Sequence, residues 1–343
     1  MKRSLMNRCF IAVTILMVAV VLQLALVAPA TAKVRELMMG STSSRSSMYP
    51  FMVAFAGFVN KYVPDVHVTV VESTSTLENI DRLRSKDFDF EVSGSLSAGY
   101  QVYHGIQRYE GKAFPEIRRL YIYQVAATMY GVRQDSGVKT IGDLHGKRFS
   151  AGIPGSQTEA NVRGALGVLG IEPKWYAASL ADATAALKDG RIVGFAKGSA
   201  KGNIASNFIE VNTVRPVNFL SFTEEQKAKV VPKMPWLPWV HQPAGSIKGF
   251  NPLGDILVHG FIAGSLTTKD LPEDIAYGIT KALHQHGEEL QATGKMLPGW
   301  KFVESTIEYQ KTAPTPLHAG FVRYCTEIGL QVPKELIPPE YSK

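Results

Sequence analysis

Apolar positions along the chain follow two rhythms. Residues 34–39, 66–71, 88–92 and 192–196 are short runs bounded by polar or Gly-containing segments, the second rich in β-branched side chains, and they predict strands. Between them the apolar period lengthens to that of a helix. Phe51, Ala54, Phe55, Phe58 and Val59 follow Pro50 at i, i+3, i+4, i+7, i+8 spacing. Ile80 and Leu83 share one side of a helix that begins near Leu77. Val162, Ala165, Leu166 and Leu169 mark a third helix, stopped by Gly170 with Pro173 beyond, and residues 180–188 a fourth. Strands alternating with helices over short connections predict parallel sheets covered on both faces. Two such successions predict two lobes. Residues 120–132 are extended and apolar enough to cross from one lobe to the other, and 255–262 to return. The stretch 234–239, Met-Pro-Trp-Leu-Pro-Trp, reads as an aromatic loop near that junction.

The N-terminus is built differently. Lys2, Arg3 and Arg8 precede an apolar stretch over residues 10–27, which ends in Ala30-Thr31-Ala32, a small-x-small pattern that a signal peptidase accepts. Residues 1–32 are therefore expected to be removed on export; a retained membrane anchor is the alternative. Three of the 37 basic residues lie in that segment and none of the 30 acidic ones, so the mature balance is 34 against 30. That small, dispersed excess gives no footprint for nucleic acid. Of the two cysteines, Cys9 lies in the leader and Cys325 in a helical pattern, so no intrachain disulfide is expected and Cys325 reads as a buried small hydrophobe.

Candidate chemistry lies in recurring small polar loops. Helices start behind such loops before Pro50, Leu77 and Thr158, and two of them carry S-x-x-E: Ser75-Thr76-Leu77-Glu78 and Ser156-Gln157-Thr158-Glu159. Helix starts present unpaired N–H groups and partial positive charge, and at strand C-termini facing a crevice they suit an anion. The plainer reading of each loop is an ordinary cap. Arg45, in the first loop, would grip a carboxylate or stand as a solvated charge. Lys197, after the strand at 192–196, has the same two readings. Enzyme signatures are missing: no G-x-S-x-G, H-E-x-x-H, C-x-x-C or P-loop occurs, and His284 and His286, two apart on a helix, diverge.

The chain resembles the TAXI subfamily of TRAP-transporter solute receptors. The likeness rests on Gly40-Ser41 with Tyr49-Pro50, on Thr76-Leu77-Glu78-Asn79, on Tyr103-His104-Gly105, and on Asp135-Ser136-Gly137 followed by Asp143-Leu144 and Gly155-Ser156-Gln157-Thr158-Glu159. Asp270-Leu271-Pro272-Glu273-Asp274 and Pro316-Leu317-His318-Ala319-Gly320 continue it. Departures fall in the loops: Arg45 and Ser46, Ser73-Thr74-Ser75 and Gln157 stand where the family favours glycine, and residues 91–97 replace its Gln-Ser-Asp.

The resemblance implies an α/β, two-lobed periplasmic binding protein of type II. Each lobe would be a mostly parallel sheet flanked by helices, with the ligand cleft between lobes. Residues 33–121 and 254–343 would form lobe I and residues 122–253 lobe II. It implies a receptor, not an enzyme, that carries a small organic anion (a carboxylate, dicarboxylate or acidic amino acid) to a TRAP-type permease. A receptor for an ABC importer or a sensor kinase is the alternative, and an exported enzyme a more distant one. The expected ligand-binding residues are Ser41, Thr42, Arg45, Tyr49, Thr74, Ser75, Thr76, Ser93, Ser95, Gly155, Ser156, Gln157, Thr158 and Lys197. No metal, cofactor or nucleic acid is expected, and a periplasmic monomer is the simplest form.

Overall fold

β-branched and aromatic runs pair into one curled, mixed sheet, with amphipathic helices packed against its faces. The computed structural model describes residues 33–44, 46, 48–200, 204–242, 245, 254–293 and 299–342. The expected leader and Arg45 lie outside the described residues. The strands are β1 (Arg35–Gly40), β2 (Val66–Val71), β3 (Phe90–Ser95), β4 (Ile117–Arg133), β5 (Arg148–Ser150), β6 (Lys174–Trp175), β7 (Gly194–Ala200), β8 (Val217–Leu220), β9 (Trp239–Gln242) and β10 (Ile256–Thr268). Their order is β2-β1-β3-β10-β4-β7-β5-β6, with β8 beside β4 and β9 beside β10.

Towards both ends of the order strands pair in parallel, β1 with β3 at one end and β5 with β6 and β7 at the other. The centre is antiparallel: β10 pairs with both β3 and β4, and β4 pairs with β7. The sheet is therefore less parallel than the strand–helix alternation suggested. The reason is that the two apolar segments read as crossings are the longest strands, β4 of 17 residues and β10 of 13, lying side by side in opposite directions. Their register slips between Ala263 and Gly264. There a Cβ on Gly264 would stand 2.2 Å from the Tyr121 carbonyl, so only glycine allows the approach.

The helices that position the site are α1 (Tyr49–Tyr62), α2 (Thr76–Arg84), α3 (Leu96–His104) and α4 (Gln157–Val168). α5 (Leu180–Lys188), α6 (Ser206–Asn212), α7 (Glu224–Val230), α8 (Glu273–His286), α9 (Phe302–Gln310) and α10 (Ala319–Glu327) complete the set among the described residues. α1 buries the face its periodicity predicted, with Phe51 4.6 Å from Tyr123 and Phe55 4.8 Å from Tyr121, ring to ring. Two large apolar clusters result. One joins residues from β1, α1, β2, β3, β4 and α8, and the other joins β4, β5, α4, β7, β8 and α5. From Glu36 onward the chain forms one compact unit. Among the described residues no helix is long and apolar enough to cross a membrane.

Cys325 is fully buried in α10, and burial pushes its thiol up to about 12, which leaves it inert at neutral pH. His284 and His286 serve packing: His284 Nδ1 lies 2.8 Å from the Tyr324 hydroxyl, and His286 stacks on Tyr62.

Candidate functional site

Loops at the C-terminal ends of strands from both ends of the sheet meet around a cleft of about 580 Å³. The β1–α1 connection brings Thr42 and Met48, and α1 adds Met52. The β2–α2 loop and the first turn of α2 bring Thr74 to Leu77, and β3 brings Ser93. From the other end come residues 153–158, the β5–α4 loop and the start of α4, and Lys197 of β7. Tyr123 and Gln124 of β4 and Phe261 and Ala263 of β10 lie on the cleft wall from the two long central strands. The starts of α1, α2 and α4 thus share one hollow.

α2 and α4 begin with the same device. Ser75 and Ser156 cap their helices by accepting the N–H of Glu78 at 3.3 Å and of Glu159 at 3.2 Å. Each glutamate turns back one residue beyond the cap: Glu78 accepts from the Thr74 N–H (2.8 Å) and hydroxyl (2.7 Å), and Glu159 from the Gly155 N–H (2.7 Å). Each is also paired with an arginine one turn on, Arg82 at 3.6 Å and Arg163 at 2.9 Å. The Thr74 hydroxyl, foremost, holds the Glu78 carboxyl below its usual range. The capping read from S-x-x-E is therefore present, and it uses part of the donor capacity that the sequence suggested for a ligand. The N–H groups of Thr76, Leu77, Gln157 and Thr158 meet no acceptor among the described residues, as first-turn amides should.

Not every expected residue reaches the cleft. Ser41 is fully buried and donates its hydroxyl to the Val71 carbonyl at 2.7 Å, fastening β1 to β2. Ser95 is 1% exposed and caps α3 by accepting the Ala98 N–H. Tyr49 opens α1, but Met48 and Met52 are the residues of that region on the wall. Thr42, Thr74, Ser75, Thr76, Ser93, Gly155, Ser156, Gln157, Thr158 and Lys197 all line it. Several of these are already engaged. Thr76 donates to the Ser93 carbonyl at 3.0 Å, and the Gln157 amide donates to Asn161. The Ser93 hydroxyl and N–H both donate to Glu91, at 2.8 and 2.7 Å. Ser75, Ser156 and Thr158 keep hydroxyl protons with no acceptor among the described residues.

Three residues on or behind the wall carried no sequence signal. Glu91, the second residue of β3, is fully buried and also accepts the Leu266 N–H at 3.1 Å. Burial raises its carboxyl to about 7, against the pull of Ser93, Leu266 and the buried Arg119. Arg119 donates to the carbonyls of Gly94, Ser95 and Ser265 and to Gln310, which binds β3, β10 and α9 to β4. Arg108 stands in the turn after α3.

Among the described residues the cleft walls carry two cations, Arg108 and Lys197, and no aspartate or glutamate. Lys197 lies inside β7, opposite Met129, and not beyond its end as the sequence suggested. Its ammonium is partly buried and has no carboxylate partner among the described residues. Desolvation alone lowers its pKa.

Residues 39–329 match the family model described as NMT1-like. The chain belongs to the NMT1-like family. The match spans the cleft, from β1 to the end of α10. Among solved structures this NMT1-like chain is similar to a putative sulfonate ABC transporter's periplasmic sulfonate-binding protein, SsuA, from Methylobacillus flagellatus (13% identity, 91% of this chain and 93% of that one, TM-score 0.50). It is also similar to XAC2383 from Xanthomonas citri, solved bound to ATP (11% identity, 85% and 99%, TM-score 0.53). A TctC solute binding protein from Polaromonas matches at 14% identity over 88% and 99%, with a TM-score of 0.49. At these identities the likeness is one of fold: a mixed α/β sheet flanked by helices, shared with periplasmic solute-binding proteins.

Proposed function

We propose that this protein is an extracytoplasmic solute receptor that takes a small organic anion into the cleft and delivers it to a TRAP-type permease. The observation that carries the reading is Lys197: a desolvated ammonium, without a carboxylate partner among the described residues, in a cleft that also receives the starts of three helices. An anion bound there gains a charge partner, first-turn amides, and the free hydroxyls of Ser75, Ser156 and Thr158. The apolar wall of Met48, Met52, Leu77 and Phe261 suits the body of an organic acid. The expected export signal, the family and the fold likeness support a receptor in the periplasm. The lobes are taken as residues 33–121 with 254–343 and residues 122–253, closing over the ligand about β4 and β10. A TRAP partner follows from the TAXI resemblance; an ABC importer is the second reading, favoured by the likeness to the sulfonate-binding protein.

The test is a thermal-shift screen against mono- and dicarboxylates and alkyl sulfonates. A ligand that binds only the folded state raises stability by RT ln(1 + [L]/Kd), about 2.7 kcal/mol at a hundredfold excess over Kd. At least one acid is expected to shift the transition, and Lys197→Gln is expected to abolish most of the shift. A panel with no active acid, or a Lys197→Gln variant that responds like the wild type, refutes the reading.

A further inference from the structure

The turn after α3 supplies the cleft's second cation, and its backbone is built to hold it there. α3 ends on Gly105 in the left-handed region (φ 64°), where the backbone closes on the Gln101 carbonyl. Two residues later Gln107 also has positive φ, 57°, a conformation that a residue with a Cβ adopts at a cost. The turn tolerates it because it is tied on both sides. Tyr109 N–H reaches the Ile106 carbonyl at 3.1 Å, Glu110 N–H the Gln107 carbonyl at 3.0 Å, and the Tyr109 ring is buried in an apolar cluster with Val102 and Phe114. Between Gln107 and Tyr109 stands Arg108, on the cleft wall. Its one hydrogen bond among the described residues is long, 3.4 Å from Nη1 to the Gly155 carbonyl, and that carbonyl belongs to the loop that opens α4. The guanidinium therefore spans from the α3 side of the cleft to the α4 side, and among the described residues most of its donors are uncommitted and no carboxylate is paired with it.

We propose that Arg108 is the second charge partner of the bound anion and sets the preference for an oxyanion, a carboxylate or sulfonate. This deepens the receptor reading and rests on it. A guanidinium presents parallel N–H donors that match two oxygens of one acid group, whereas the Lys197 ammonium acts as a point charge. Together they hold the acid group from two elements at once, β7 and the post-α3 turn. A halide offers Arg108 no second oxygen, and a neutral amide offers neither cation a charge.

Calorimetry on the protein tests this with glutarate and ethanesulfonate as probes and with chloride and glutaramide as controls. The wild type is expected to bind at least one oxyanion probe and neither control. Arg108→Gln is expected to weaken that binding by about tenfold or more, without lowering the melting temperature of the unliganded protein. Arg108→Lys is expected to recover only part, because it restores charge without the fork. Gln107→Gly, which keeps Arg108 but frees its turn, is expected to weaken binding less. Unchanged affinity in Arg108→Gln, or full recovery in Arg108→Lys, overturns the inference and leaves the receptor reading standing. If neither oxyanion probe binds the wild type, the inference falls as well.

Discussion

At the scale of the residue, the molecule is defined by where it leaves charge unbalanced. Lys197 and Arg108 face the cleft without acids among the described residues, while Glu91 is sealed behind Ser93 with five donors around its neighbourhood: the Ser93 N–H and hydroxyl, the Asn79 amide, the Leu266 N–H and, further off, Arg119. Sequence alone leaves Lys197 as a solvated or ligand-facing cation with no means to choose. The structure adds that β7 runs past Ala196 and places Lys197 within a strand, on the cleft wall, where the proposed ligand role needs it. Glu91 was silent because nothing in a lone carboxylate tells whether a strand is edge or centre. Its burial has a measurable sign. The folded-state carboxyl is raised to about 7 from an ordinary value of 4.5. The native state therefore holds the proton through a window in which the unfolded chain releases it, and this group's contribution to stability falls as pH rises from 4.5 to 7. Urea unfolding of the wild type and Glu91→Gln at pH 5 and pH 8 checks it. The stability difference, wild type minus variant, is expected to fall by up to about 3 kcal/mol between the two, whatever fixed cost the amide brings. His259 and His318, both depressed to about 4 by burial, titrate with the opposite sign but equally in both proteins. A difference that stays constant or rises with pH contradicts the assignment.

At the scale of the element, the two halves of the chain carry the same helix start. Ser75, Glu78 and Arg82 in α2 correspond one for one to Ser156, Glu159 and Arg163 in α4, each set spanning eight residues in the order S-x-x-E-x-x-x-R. The first four residues of each were legible, because capping depends on local backbone geometry that short sequence encodes. The arginine, and the reach of the glutamate to the residue before the cap, were not read, because i,i+4 pairing also occurs on any solvated helix face. α3 was missed for a related reason. Its cap, Ser95, sits in a run of small residues that resembles a loop until β10 and Arg119 cover it. The duplicated caps are expected to be worth similar amounts. Ser75→Ala and Ser156→Ala should each lower unfolding free energy by about 1 kcal/mol, and the double variant should show the sum, since the two sit on different helices. Chemical denaturation measures this. A variant with no loss would mean that its helix start is held by the glutamate alone.

At the scale of the whole molecule, the decisive elements are β4 and β10. The periodicity of the flanking units was readable because amphipathic helices and β-branched strands announce themselves within a few residues. The central strands announced only that they were apolar. That they lie side by side, antiparallel, and weld two parallel ends into one sheet depends on pairings between residues more than a hundred apart, such as Val125 with Ile262. This connection governs how the protein should unfold. If each half were an independent domain on a flexible linker, heating would give two transitions. Here β4 carries residues of both large apolar clusters, Leu120, Tyr121 and Tyr123 in one and Ile122, Val125 and Met129 in the other, so neither cluster can melt without stripping the strand that the other needs. Differential scanning calorimetry is expected to show a single endotherm. Gly264→Ala is the sharper probe: its methyl group would press on the Tyr121 carbonyl at 2.2 Å and on Arg119 Nη1 at 2.9 Å, where β10 lies against β4. Overpacking of this kind costs about 1–3 kcal/mol. The whole endotherm should move down as one peak, whereas a peak that splits, leaving part at its original temperature, would show that the halves fold apart and that β4 and β10 merely join them.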